Sequence, residues 1–166
     1  MTVRRIGEAY ESKPMNNALN NDDKEARRSL MIVRAGLCLS IIASGLALRG
    51  FGLGLGIPVF FVKYGGSLLW AATVFFLVAL AASSLKRPGI ALIAASIAIG
   101  VELFRLVHAP WLDAFRLTIA GTLLLGRVFS PWNMLAYAIG IVLAMLLDRF
   151  AISAFTRARA ASHSAN

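Results

Sequence analysis

Four long apolar runs constrain this chain more than anything else in it: Leu30–Leu48, Gly66–Leu85, Ile90–Val107 and Trp132–Leu147. As helices, runs of this length match a hydrocarbon core roughly 30 Å thick. Only 15% of the residues are charged and 58% are hydrophobic, whereas a soluble domain carries about 25% charged residues. Such a surface faces lipid. The runs predict an all-α polytopic transmembrane helix bundle, with four spans and one short re-entrant or interfacial helix.

The formal net charge of +9 raises the question of nucleic acid. A basic soluble binder would carry its cations on an ordered polar face; here most stand at the ends of apolar runs, where they orient a membrane protein. No nucleic-acid partner is therefore expected, and membrane lipid is. Cys38 is the single cysteine, which excludes an intramolecular disulfide, and the two histidines are His108 and His163. Neither a metal site nor a cofactor is expected from so few ligands.

Residues 1–29 are polar and aperiodic, and read as a disordered cytoplasmic tail. Residues 30–149 form the expected transmembrane domain, and 150–166 a basic cytoplasmic tail. Arg34, about one turn into the first run, is expected to snorkel back to the surface. Arg49–Gly56 (RGFGLGLG) lacks the spacing of a phosphate loop and reads as a flexible connector. Val59–Gly66 (VFFVKYGG) is expected to lie at the interface, with Lys63 and Tyr64 at headgroup level. On the second run Ser67, Trp70, Ala71, Val74 and Val78 share one side.

Leu85–Gly89 (LKRPG) is a tight basic turn. On the third run Ala91, Ala94, Ala95, Ala98, Glu102 and Arg105 fall on one arc. Its small residues permit close helix approach, and its polar end points Glu102 and Arg105 into the bundle. The piece from Trp111 to Phe129 has an uncharged core, Leu117–Gly126, too short to span. The last run aligns Asn133, Tyr137, Gly140, Ala144 and Asp148.

Cations decide orientation. Lys24, Arg27 and Arg28, then Lys86 and Arg87, then Arg149, Arg157 and Arg159 mark one side. The expected setting is the cytoplasmic membrane, crossed four times, with both termini inside. The stretch Glu102–Asn133, which also holds His108, Asp113, Arg116 and Arg127, then faces outward.

Lys63–Ala71 (KYGGSLLWA), Val101–Thr118 (VELFRLVHAPWLDAFRLT), Leu123–Phe129 (LLLGRVF) and the Tyr137–Gly140 pair resemble a family of small bacterial membrane proteins of unknown function. More distantly, a Glu ending a helix, an Arg, and a polar residue entering the last helix are similar to the VanZ-like proteins, associated with glycopeptide resistance. The resemblance implies acids at positions 67 and 133 and a Gln at 105. This chain has Ser67, Asn133 and Arg105 instead, which puts any cation or proton handling by such a site in doubt.

Several readings of the polar stretch compete. Glu102 with Arg105, and Asp113 with Arg116, are three apart and suited to local pairing, which makes a structural clasp that also involves His108, Asn133 and Tyr137. Alternatively Arg105, Arg116, Arg127 and Trp111 form an outward site for an anionic lipid or lipid-linked envelope precursor, since arginine forks match phosphate geometry. In that second geometry Arg116 pairs across helices with Glu102, and Arg105 stays free. A small oligomeric transporter is a third reading. An enzyme using His108 and Asp113 as an oriented base is a fourth, without an accompanying nucleophile. Homo-oligomerisation is compatible with each.

Overall fold

The computed structural model describes residues 3–107, 109–124 and 130–164, with side chains over 24–107, 109–122, 130–157 and at 161. Those residues are helical or in turns, with no strand among them. The helices are α1 (Val3–Phe51), α2 (Val59–Ala81), α3 (Arg87–Phe104), α4 (Pro110–Leu117), α5 (Ile119–Leu124) and α6 (Pro131–Ser164). Four stretches are long and apolar enough to cross a membrane: Lys24–Phe51, Val59–Ala81, Arg87–Phe104 and Pro131–Arg157. The chain divides into two units, residues 1–33 and 34–166.

The described residues of the first unit, from Val3, all belong to α1. Its backbone is helical from Val3, in the segment whose composition reads as a solvated tail. The Ala, Glu, Lys, Arg and Met residues there have favourable helix propensity. A polar composition argues against a buried core; it does not argue against a helix.

In the second unit α2 is the central element, packed against both α6 and α3. The apolar core is built from Ala71, Phe75, Phe76 and Ala79 of α2, Ile90, Ala94 and Ala98 of α3, and Tyr137, Ile141 and Ala144 of α6. Small residues dominate because lipid gives apolar side chains no reason to prefer each other; close backbone approach and good packing hold the helices together. Leu92, Leu103, Leu135 and Val142 are at least half exposed, as a lipid-facing surface requires.

Prolines set the starts of α3, α4 and α6. The missing N–H is harmless in a first turn and the fixed φ is already helical. Gly56 turns the chain between α1 and α2 with φ of +77°, a left-handed backbone that glycine adopts freely. Helix α2 starts at Val59, so VFFVKYGG is continuous with this helix. The two glycines are tolerated because they pack: Gly66 is buried, and the Arg49 side chain lies across it. Between α4 and α5 the backbone is extended at Thr118. The Thr118 hydroxyl accepts from Gly121 N–H at 3.0 Å, a capping contact that starts α5. These two helices, about 12 and 9 Å long at 1.5 Å per residue, cannot cross a bilayer.

A Cβ at Gly140 would overlap the Leu68 carbonyl oxygen and stand 3.0 Å from its carbon. Here α6 meets the α2 backbone directly. Gly140→Leu should therefore cost at least the 1–3 kcal/mol typical of overpacking, and more if the helices separate. Val142→Leu, on the exposed face, should cost almost nothing. Thermal unfolding in detergent compares them, and equal small losses would mean that α6 does not pack through Gly140.

Candidate functional site

Glu102 is the chemical centre of the bundle. It sits in the last turn of α3, on the same face as Ala94 and Ala98, and is 0% exposed. A buried carboxylate needs donors, and this one has them. Its Oε1 accepts from Ser130 N–H at 2.8 Å and from Asn133 Nδ2 at 3.3 Å. Its Oε2 accepts from the Tyr137 hydroxyl at 3.0 Å and from the Arg105 guanidinium. An ionised carboxylate offers about four lone-pair sites, so the group is saturated by its own chain.

Asn133 extends the network to α2. The Ser67 hydroxyl lies 3.3 Å from Asn133 Oδ1 and 3.3 Å from Lys63 O, and its one proton serves one of them at a time. Tyr137 is held by Trp70, ring centroids 5.4 Å apart. Ser67, Arg105 and Asn133, the three departures from the pattern that the resemblance implies, thus meet around Glu102.

Arg116 makes the second polar centre, and it is also buried. Its NH1 donates to Asp113 Oδ1 at 3.1 Å and to Val107 O at 2.9 Å, and its NH2 donates to Phe104 O at 2.7 Å. The guanidinium stands 5.7 Å from the centroid of the Phe104 ring. A cation at the carbonyl end of α3 satisfies orphan carbonyls and complements the helix dipole. Its Nε has no partner among the described residues. This is how α4 docks: Arg116 reaches the end of α3, and Leu112 of α4 is buried, 2% exposed.

The cross-helix geometry expected from the sequence is therefore corrected. Glu102 takes Arg105 and Asp113 takes Arg116, each three residues apart. Arg116 does reach α3, but through backbone carbonyls. Local pairing wins because Arg105 is already on the face of α3 that carries Glu102, while Arg116 is drawn to the backbone carbonyls at the end of α3. Arg105 is accordingly engaged and not free. Trp111 is 70% exposed and touches neither centre through any described polar contact. His108 and Arg127 lie outside the described residues.

A third polar centre stands at the opposite end of the bundle. Arg34 Nε and NH2 form a fork on the two Asp148 oxygens at 2.8 and 3.1 Å, and NH1 donates to Ala79 O at 3.1 Å. Arg87 Nε adds a bond to Asp148 Oδ2 at 3.0 Å. Arg34 and Asp148 are 5% and 1% exposed. The snorkelling expected of Arg34 is corrected, because a buried carboxylate within reach outweighs access to water. Sequence reasoning placed Asp148 on the inward face of the last span without assigning it a partner. An inward acid in a span calls for a cation, and that was the usable signal.

Among the described residues no cluster of three His, Cys, Asp or Glu could hold a metal ion. Two apolar grooves flank α2. One, of about 320 Å³, is lined by Phe60, Tyr64, Trp132 and Leu135 among others. The other, of about 400 Å³, lies between α1 and α2.

No solved structure matches this chain. A family model described as a protein of unknown function, DUF2809, matches residues 57–141. That block runs from the start of α2 into α6 and contains every described member of the Glu102 and Arg116 centres, while Arg34 and Asp148 fall outside it. The chain belongs to the DUF2809 family of proteins of unknown function.

Proposed function

We propose that the protein is a non-enzymatic structural component of the bacterial cytoplasmic membrane, a four-span scaffold or partner protein whose outward end is closed by a polar clasp centred on Glu102. One observation supports this reading: among the described residues, the charged groups of this stretch are paired within the chain itself. Glu102 with Arg105, and Asp113 with Arg116, are each one anion and one cation, so these four residues leave no surplus charge for an external anion. Saturated polar groups rigidify and define a packing arrangement.

Clasp and anion site predict opposite outcomes for Arg105→Gln and Arg116→Gln. A clasp loses thermal stability in detergent and keeps its retention of phosphatidylglycerol in native mass spectrometry. Unchanged stability with lost phosphatidylglycerol would instead restore the anion site at these arginines.

The orientation belongs to the same proposal. Four crossings put both termini on one side, and the cation bias of the amino tail, the α2–α3 turn and the carboxyl tail makes that side cytoplasmic. In a Cys38→Ala background, cysteines at Gly54 and Trp111 should react with an impermeant maleimide in whole cells, and one at Lys86 should not. Labelling at Lys86 alone would invert the topology.

A further inference from the structure

The groove between α1 and α2 differs from the other in having a cation at its head. Its walls include Ile42, Gly45 and Leu46 of α1 and Leu69, Trp70 and Val74 of α2, and Arg49 closes one end. The Arg49 side chain crosses α2 without being neutralised. Its Cγ, Nε and Cζ lie 3.7, 3.1 and 3.8 Å from where a Cβ on Gly66 would stand, so a larger residue there would push it aside. Arg49 has no hydrogen bond or ion pair among the described residues. The lining hydroxyl of Thr73 is used within its own helix, donating to Leu69 O at 2.9 Å.

We infer that this groove binds one acyl chain of an anionic phospholipid, with the lipid phosphate on Arg49. Both walls belong to spans, so lipid is the solvent of the groove. Arginine's planar fork suits a phosphate oxygen pair, and an unneutralised guanidinium at the head of an apolar slot complements an amphiphile with a negative head. The slot runs from Gly66 to Leu77, about 16 Å along α2. Over that length the apolar walls leave about 400 Å³ between them, room for an extended acyl chain.

The test is native mass spectrometry of the full chain from nanodiscs holding equal phosphatidylglycerol and phosphatidylethanolamine. The wild type should retain phosphatidylglycerol preferentially. Arg49→Gln should lower that retention about fivefold, the factor for one basic residue against an anionic lipid surface, with lipid-free stability unchanged because Arg49 is exposed and unpaired. Arg49→Lys should recover part of it, keeping charge without the fork. Gly45→Leu, which fills the groove and leaves Arg49 intact, should also lower retention. Lys63→Gln, a cation outside this groove, should not. Equal losses for Lys63→Gln and Arg49→Gln would reduce the effect to diffuse surface charge and overturn the site. So would unchanged retention in Arg49→Gln, or a dimer whose second copy protects the groove from lipid. Loss in Arg105→Gln with none in Arg49→Gln would move the lipid to the outward stretch and contradict both readings.

Discussion

Asp148→Leu is expected to destabilise the protein by about 3–5 kcal/mol in detergent, the usual cost of stranding a buried charge. Arg34 is 5% exposed and directs two of its three donor contacts at Asp148; the third goes to a backbone carbonyl. Without the carboxylate its charge has no counterion in an apolar core. Arg87, whose side chain is 36% exposed, can turn to water and should matter less. Arg34→Met with Asp148→Leu should recover most of the loss, because a buried ion pair replaced by apolar groups of similar volume is often neutral. Arg87→Gln should cost less than about 1 kcal/mol, as expected for a partly exposed pair. A double mutant no more stable than Asp148→Leu alone would show that the pair does not act as a unit.

Glu102→Leu should be comparably severe for a different reason. It leaves Arg105 without its anion, and also strands the Tyr137 hydroxyl, the Asn133 amide and the Ser130 N–H. The charge alone accounts for about 3 kcal/mol or more. The hydrogen bonds add less than in a soluble core, about 0.6 kcal/mol each, because the unfolded chain in a membrane also finds partners. Glu102→Gln keeps the shape and part of the bonding and should lose about half as much. Tyr137→Phe should cost no more than about 1–2 kcal/mol. If Tyr137→Phe matched Glu102→Leu, the carboxylate would not be the organising group.

The number of spans was legible because hydropathy over such long runs has few other causes. The buried face of α3 was legible too: Ala94, Ala98 and Glu102 lie four apart and all three are buried. The start of α2 at Val59 was less legible, because Lys63, Tyr64 and a glycine pair do not look like the opening of a long helix, and nothing local announces that the Arg49 side chain lies across Gly66. Arg34 was misread for the same reason. Its partner is 114 residues away, and a cation one turn into a span looks identical whether it snorkels or pairs. Glu102 was found as a buried acid, yet its true donors could not be ranked from spacing alone. Arg105 and Arg116 both fit; the structure separates them because the carbonyls of Phe104, the last residue of α3, and of Val107 just beyond it claim Arg116.

The central claim is that the polar stretch from Glu102 to Arg116 is a clasp in which Glu102 belongs to Arg105. A pair of double-mutant cycles in thermal or denaturant unfolding tests it directly: Glu102→Gln with Arg105→Gln, and Glu102→Gln with Arg116→Gln. Coupling of about 1 kcal/mol or more is predicted within the first pair and additivity within about 0.5 kcal/mol in the second. Additive effects for Glu102 and Arg105, with strong coupling between Glu102 and Arg116, would contradict the account and free Arg105 for a ligand.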